Sequence, residues 1–484
     1  MKADRKYLVL SVAALAVVSL LGVIPSTAGA AKALSAPVFT SKVILKAKTL
    51  STFTFTVKAK GNPAPAISLV SGLPTGVTFT PNAPVGTTGT ATLTGSVPGG
   101  TYPPIVLQAT NSQGSVTQNL TIAVKGLPGI RHVFVIMLEN EGYDQTFGDP
   151  SSDPYLASTL PSEGALLENY YGVVHFSNDN YVGFVSGQLP NSSNQADCAG
   201  GFDDFPAGDG LGADGLQQGA GCVYPADVPT IADQLTARGD TWKAYEEDMG
   251  NDPTRESATC GHPAVGSPDN TLGAEAGDGY ATRHDPFVYF HSIIDNTSEC
   301  NQDVVPLGTT TGALPAGTPA GVTGLATDLQ SVSTTPNYSF ITPNLCDDGH
   351  DYPCVNQPSG ASALADIDTF LQTWVPLITG SPAFQQDGLL EITFDEADVD
   401  PIDATSCCGE PENPAAIGGA NGIDGPGGGR IGSVLISPFI TPGSKVKTSL
   451  NHYSSLASIE DLFDLSHLGA AQSVTTTFDK VYAK

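Results

Sequence analysis

Four apolar runs in this chain end in residues that can do chemistry. IRHVFVIML leads into Glu139 and Asn140, and LLENYYGVV leads into His175, Phe176 and Ser177. YSFIT leads into PNLCDDGHD, which holds Asp347, Asp348 and His350, and GLLEITF leads into Asp395 and Glu396. NHYSSL adds His452. Carboxylate and amide oxygens are hard donors suited to a divalent cation. A serine hydroxyl beside such an ion is acidified and becomes a usable nucleophile, while the ion offsets charge on a phosphoryl group. The set points to phosphoric-ester hydrolysis through a phosphoserine rather than to acyl transfer. No G-x-S-x-G surrounds Ser177, and no Walker-type glycine loop occurs.

Something must bring these residues together. Continuous apolar runs suit strands buried on both faces. Here they alternate with TIADQLTARG, SALADIDTFLQTWVPLI and YSSLASIEDLFDL, which have helical spacing, and SVLISPFI reads as a further strand. Gly239 is placed to cap the first of these helices. The alternation predicts an α/β fold over residues 130–484, with a mostly parallel sheet flanked by helices. In such sheets the ligand site lies beyond the carboxyl ends of the strands, where the polar residues fall. HFSNDN is polar between two apolar runs because the chain turns there from strand to helix, setting Ser177 at the positive end of the helix. Each residue also has an ordinary reading. Ser177 reads equally as a helix N-cap, Asp395-Glu396 as a solvated loop pair, and His452 as a capping or core histidine. Gly427-Gly428-Gly429-Arg430 reads as a loop beside the crevice, with Arg430 as a phosphate clamp in the alternative. His132, His262, His284, His291 and His467 read as structural.

The chain has 484 residues, enough for two domains. Residues 1–30 show a basic start, an apolar run and an A-G-A ending, the pattern of a cleaved secretory signal, with a retained membrane anchor as the rival. Residues 35–125 read as all-β: TFTFTVKA and GTATLTGSV alternate, and GNPAPA, GLPTG and PGGTYPP supply turns. From Ala31 to Lys125 there are seven lysines and no acidic residue or histidine, so this region offers no acid, base or hard-metal ligand. KGLPGI, Lys125 to Ile130, is the linker. The remainder is strongly acidic, and a field of that sign repels nucleic acid. All eight cysteines lie in the acidic region. An even count in a secreted chain suggests disulfides, and the near pairs are Cys198/Cys222, Cys260/Cys300 and Cys346/Cys354. Cys407 and Cys408 form a vicinal disulfide or end two longer bridges. Zinc is the weaker reading, since no Cys-x-x-Cys pair occurs.

HVFVIMLENEGYDQTFG, ENYYGVVHFSNDNYVGFVSGQ, PTIADQLTARGDTWKAYEEDM, YSFITPNLCDDGHD, LLEITFDEAD, GGGRIGSVLISPFI and NHYSSLASIEDLF occur in that order. Over about residues 130 to 470 they resemble the secreted bacterial phosphoesterase family of acid phosphatases and phospholipases C, within the alkaline phosphatase superfamily. The earlier stretch, GLPTGVTFTP with GTYPPIVLQATNSQGSVTQNLTIAV, resembles the immunoglobulin-like modules of bacterial secreted proteins. The first resemblance implies an alkaline-phosphatase-like fold with Glu139 and Asn140 as the first metal-ligand pair. It implies Asp395 and Glu396 as the second pair, and Ser177 as nucleophile and metal contact. His350 and His452 are then expected near the phosphate, orienting it or protonating the leaving group. The proposed ligands are all oxygen donors, so one hard or borderline divalent ion is expected rather than a histidine-rich two-zinc site. The nucleophile turn departs from the family pattern. Phe176 replaces proline and Asn178-Asp179 replaces Leu-Pro, while Ser177 and Asn180 stay in register. Asp179 then either weakens phosphate affinity or helps hold the metal. The expectation is a secreted, metal-dependent monoesterase of acid-phosphatase type acting on phosphate esters and not on nucleic acid, with cell-surface or polymer attachment through the N-terminal module. The alternatives are a phospholipase C or other phosphodiesterase, and an inactive cell-surface binding protein.

Overall fold

The computed structural model describes residues 33–48, 52–74, 76–95, 104–125, 129–148, 152–355, 357–397, 402–409 and 427–482. The expected signal segment lies outside these residues, and the expected linker lies partly outside them. Two compact units divide near residue 123.

In the first unit, alternation of side chains produces the sandwich that the sequence predicts. Along Phe53–Asn62, Thr54, Thr56, Lys58 and Lys60 are exposed while Val57 and Ala59 are buried. This strand pairs antiparallel with Ser35–Phe39 and with Thr88–Gly95, which in turn pairs with Val77–Pro81. A second four-stranded sheet is built from Ile44–Lys48, Gly114–Lys125, Ile105–Asn111 and Ala66–Ser71.

The second unit is organised by strands that have no polar face. β1 (His132–Leu138) and β6 (Gly388–Phe394) are buried along their whole length. With β2 (Ala165–Leu167), β3 (Trp242–Glu246), β4 (Val304–Pro306), β5 (Tyr338–Thr342), β7 (Ser433–Ile436) and β8 (Ser444–Val446) they form one sheet in the order β4-β3-β5-β1-β6-β7-β2-β8. Strands β4, β3, β5, β1 and β6 run parallel, whereas β7 is antiparallel to both β6 and β2. The α/β expectation holds, with a mixed edge. Helix α1 (Ser177–Ser186) follows the HFSNDN turn where a nucleophile was expected. Helix α2 (Ile231–Arg238) starts in a Thr230/Asp233 capping box and ends at the expected Gly239, in the left-handed region at φ 87°. Helix α3 (Ala363–Gly380) buries Ile367, Phe370, Leu371, Trp374 and Ile378 at helical spacing, and α4 (His452–Leu462) packs on α1. Among the described residues, no helix is long and apolar enough to cross a membrane.

All four disulfides pair near neighbours: Cys198–Cys222, Cys260–Cys300, Cys346–Cys354 and the vicinal Cys407–Cys408. The long-bridge alternative for the vicinal pair is thereby removed.

One core residue makes stability depend on pH. Glu391 lies in the middle of β6, fully buried, and accepts from the Ser455 and Ser433 hydroxyls at 2.6 and 3.3 Å. Burial pushes its carboxyl up from 4.5 to about 7, against the pull of those hydroxyls. The folded state therefore holds a proton that the unfolded chain gives up more easily. The resulting stability is present below pH 4.5 and is lost as pH rises through 7. Its size is about 3 kcal/mol. Chemical denaturation should show Glu391→Gln losing less stability than the wild type between pH 5 and 8. Equal losses in the two proteins would refute the assignment.

Candidate active site

Two adjacent parallel strands deliver the first acidic residues. Glu139 leaves the end of β1, and Asp395 leaves the end of β6. Between them Asn140 takes φ 60°, a left-handed conformation that asparagine tolerates well. Its backbone N–H donates to Asp395 Oδ1 at 3.1 Å, and its side-chain amide donates to Glu139 Oε2 at 3.2 Å. Glu139, Asn140 and Asp395 thus meet at one point.

The turn that carries Ser177 is strained and firmly held. Phe176 has φ 87°, a costly value for a bulky residue, and it immediately precedes α1. Its N–H donates to Glu396 Oε1 at 2.9 Å, while Glu396 Oε2 pairs with His175 Nδ1. Asn180 accepts from the N–H groups of Val173 and Val174 and donates to the carbonyls of Val174 and Phe176. Ser177 makes no capping bond. Its hydroxyl donates instead to Glu139 Oε2 at 2.9 Å. The N-cap reading is replaced by a hydroxyl aimed at a carboxylate. Ser177 lines a cleft of about 420 Å³ with Asn140, Phe176, Asp197, His350, Tyr352 and Glu396.

The fit of a metal can be tested on buried atoms. Burial pushes the Glu139 carboxyl well up, and the charges of Asp395 and Asp348 add to the effect. Beside it stands His284, with Nε2 3.3 Å from Glu139 Oε1 and Nδ1 3.1 Å from Asp348 Oδ2. Burial holds this imidazole well below its ordinary pKa, so it is neutral. Its Nδ1–H donates to Asp348, which leaves a lone pair on Nε2 facing Glu139. Stacking on Tyr181 fixes the ring, with centroids 5.1 Å apart. Glu139 Oε1, Asp395 Oδ2 and His284 Nε2 are all buried without a hydrogen-bond partner. Buried polar atoms left without a partner are costly. A cation removes that cost, and a carboxylate behind the histidine is the usual support of a metal ligand. Donor atoms of Glu139, His284 and His350 also lie within 4.8 Å of one another. The residues fit a divalent ion, but the set includes a histidine where oxygen donors alone were expected.

Other expectations shift as well. His284, read from the sequence as structural, stands in the acidic cluster. His350 is on the cleft wall, its Nε2 accepting from Arg283 at 3.1 Å and its Nδ1 paired with Asp351 at 2.8 Å. His452 is not on that wall. It is fully buried, with Nε2 2.6 Å from the Asp395 carbonyl and Nδ1 3.2 Å from the Tyr170 hydroxyl, and burial pushes it down to about 4. It can support the Asp395 backbone but does not reach the cleft. Glu396, expected as a metal ligand, holds the nucleophile turn with both oxygens. Asp179 is buried, accepts from Asn191 N–H at 3.3 Å and does not line the cleft. Arg430 is engaged by Asp144 at 2.6 Å and lies over the Tyr143 ring, which removes it as a clamp. His132, His291 and His467 pair with Asp387, with Asp204 and Asp295, and with Asp461, and His262 stacks on Phe202, as structural histidines do.

The model of the phosphoesterase family matches residues 149–466. The chain belongs to this family. The matched span of the phosphoesterase holds Ser177, His284, His350, Asp395 and Glu396. It begins after Glu139 and Asn140, whose place rests on the geometry above. A probable acid phosphatase of Kluyveromyces lactis is 24% identical over 70% of this chain and 59% of its own length. A phosphate-repressible acid phosphatase of Penicillium chrysogenum is 28% identical over 57% of this chain and 50% of its own. The phosphoesterase thus spans between half and two thirds of these curated relatives. A Vibrio parahaemolyticus protein of the alkaline phosphatase superfamily aligns over 69% of this chain and 67% of its own, at 12% identity and a TM-score of 0.38.

Proposed function

We propose that this phosphoesterase is a secreted, metal-dependent hydrolase of phosphoric esters that works through a phosphoserine and takes monoesters as an acid phosphatase does. The observation that carries the reading is the Ser177 hydroxyl, hydrogen-bonded to Glu139 at the first residue of α1 and open to a cleft. Ser177 Oγ forms a bond to phosphorus as the bond to the leaving alkoxide breaks, and its proton passes to Glu139 Oε2. Water then cleaves the phosphoserine, giving inorganic phosphate and restoring the serine hydroxyl. Arg283 holds the His350 ring on the cleft wall and places a fixed positive charge beside it. Asn180, Glu396 and His175 keep the turn in its strained form, so the serine is oriented before substrate arrives. A divalent ion held by Glu139, Asp395 and His284 would neutralise charge on the phosphoryl oxygens and acidify the serine hydroxyl. The acid phosphatases among the relatives support the substrate class. The signal-like first 30 residues and four disulfides support secretion.

An aryl phosphate monoester, the matching diester and a phosphorylcholine ester, each assayed with and without chelator, test the reading. Chelator-sensitive turnover is expected, and no turnover on any of the three would overturn it in favour of a binding protein. The sandwich, with no acid, base or hard-metal ligand, should be dispensable for chemistry. A chain beginning near Gly126 should keep the kcat of the full chain on a small soluble ester, and a large loss in a folded preparation would contradict this.

A further inference from the structure

Asp197 takes no part in the steps above, yet it lines the same cleft and touches the start of α1. Its backbone is in the left-handed region at φ 50°, where its N–H donates to the Asn194 carbonyl at 2.7 Å. The disulfide from Cys198 to Cys222 follows at once. This anchoring aims the side chain at α1. Asp197 Oδ1 accepts from the Asn178 N–H at 3.1 Å, and the Ser177 N–H also acts on the carboxylate. These are the first donors of a ten-residue helix, where the partial positive charge of the helix is concentrated. A phosphoryl group carried on Ser177 Oγ must set its oxygens beside the same two amides. The Asp197 carboxyl already stands there, pushed up from its ordinary value by burial and pulled back by Arg283 and the two amides. The Arg283 guanidinium and the His350 ring act on it favourably, and it and Asp179 repel one another.

We propose that Asp197 is a specificity-determining residue that selects phosphate esters carrying a single negative charge. This rests on phosphoryl transfer at Ser177. A dianionic monoester brings a second charged oxygen against the carboxylate. The monoanion of the same ester has a P–OH group, which can donate to Asp197, and a diester has no second charge to repel. The second ionisation of a phosphate ester lies near pH 6, so discrimination against the dianion favours monoester turnover in acid.

Asp197→Asn keeps an acceptor oxygen and removes the charge. The holoenzyme and this variant would be compared on an aryl phosphate monoester and its methyl diester, at pH 5 and pH 8. In the wild type the monoester-to-diester ratio of kcat/KM should fall by about tenfold between the two pH values, and in the variant most of that fall should vanish. Inorganic phosphate at pH 8 should inhibit the variant about tenfold more strongly than the wild type. Ratios that change in step in the two proteins would overturn the proposal. A readout independent of the variant is inhibition of the wild type at pH 8, where dimethyl phosphate should bind at least as well as inorganic phosphate. The reverse order would also overturn it. Should the wild type hydrolyse neither ester, the hydrolase reading fails. The shift in melting temperature produced by each of the two anions then still decides the role of Asp197.

Discussion

Ser177→Ala should lower kcat by about three orders of magnitude or more, as deletion of a covalent nucleophile does. The structure makes this result specific. The Ser177 hydroxyl caps nothing, and its one hydrogen bond goes to Glu139, which keeps a second donor in the Asn140 amide. Removing the hydroxyl therefore costs the fold no more than about 1 kcal/mol. The melting temperature should hardly move, and metal content should stay the same because Glu139, Asp395 and His284 are untouched. Retained kcat with a lowered melting temperature would make Ser177 a structural residue and sink the assignment. Acid quenching with labelled substrate should trap phosphate on the peptide that contains Ser177 in the wild type and on no peptide in the variant.

The parts of this site that could be read from the chain share a cause. Glu139, Asp395 and Glu396 follow fully buried strands directly, and such a strand leaves its next residues at the carboxyl edge of the sheet. Ser177 comes later, after β2 ends at Leu167 and a short strand of another sheet, Tyr170–Tyr171, and is marked by the polar step into a helix. Local order thus fixes their place in space. The near-neighbour disulfides were legible for the same reason. His284 and Asp197 were not, because they sit on short turns in the irregular stretches between β3 and β4 and between α1 and α2, where no period links a residue to the sheet. A signal existed for His284. In GYATRHDPFVYF a charged triplet stands between apolar flanks, the same pattern that drew attention to HFSNDN. The role of His175 is hidden by its neighbour: the serine is the conspicuous residue of the turn, and the histidine acts through Glu396, which with Asn180 holds the turn. His452 misled in the opposite direction. Its motif has the right residue types, but it opens α4 behind Asp395 instead of in front of it.

The metal should reveal itself in stability as well as in rate, and with opposite signs in two proteins. In the wild type without metal, His284 Nε2 stands 3.3 Å from Glu139 Oε1, and Glu139 Oε1, Asp395 Oδ2 and His284 Nε2 are each buried without a hydrogen-bond partner. Leaving such groups buried and unpaired costs about 1–3 kcal/mol each. Chelation should therefore lower the wild-type melting temperature by several degrees, along with abolishing turnover. Glu139→Gln replaces the central carboxylate by an amide. The amide can donate toward His284 Nε2 through the nitrogen that takes the place of Oε1, while its oxygen keeps the bonds from Ser177 and Asn140. The variant should bind little metal, lose activity by about 100-fold or more as ligand-sphere changes do, and melt at one temperature with or without chelator. That temperature should lie above the wild type's in chelator and below the wild type's with metal bound. The crossing is the decisive feature. A simple loss of packing would lower the melting temperature of Glu139→Gln under both conditions. Full wild-type activity after chelation, with no ion found by elemental analysis, would remove the metal from the mechanism altogether.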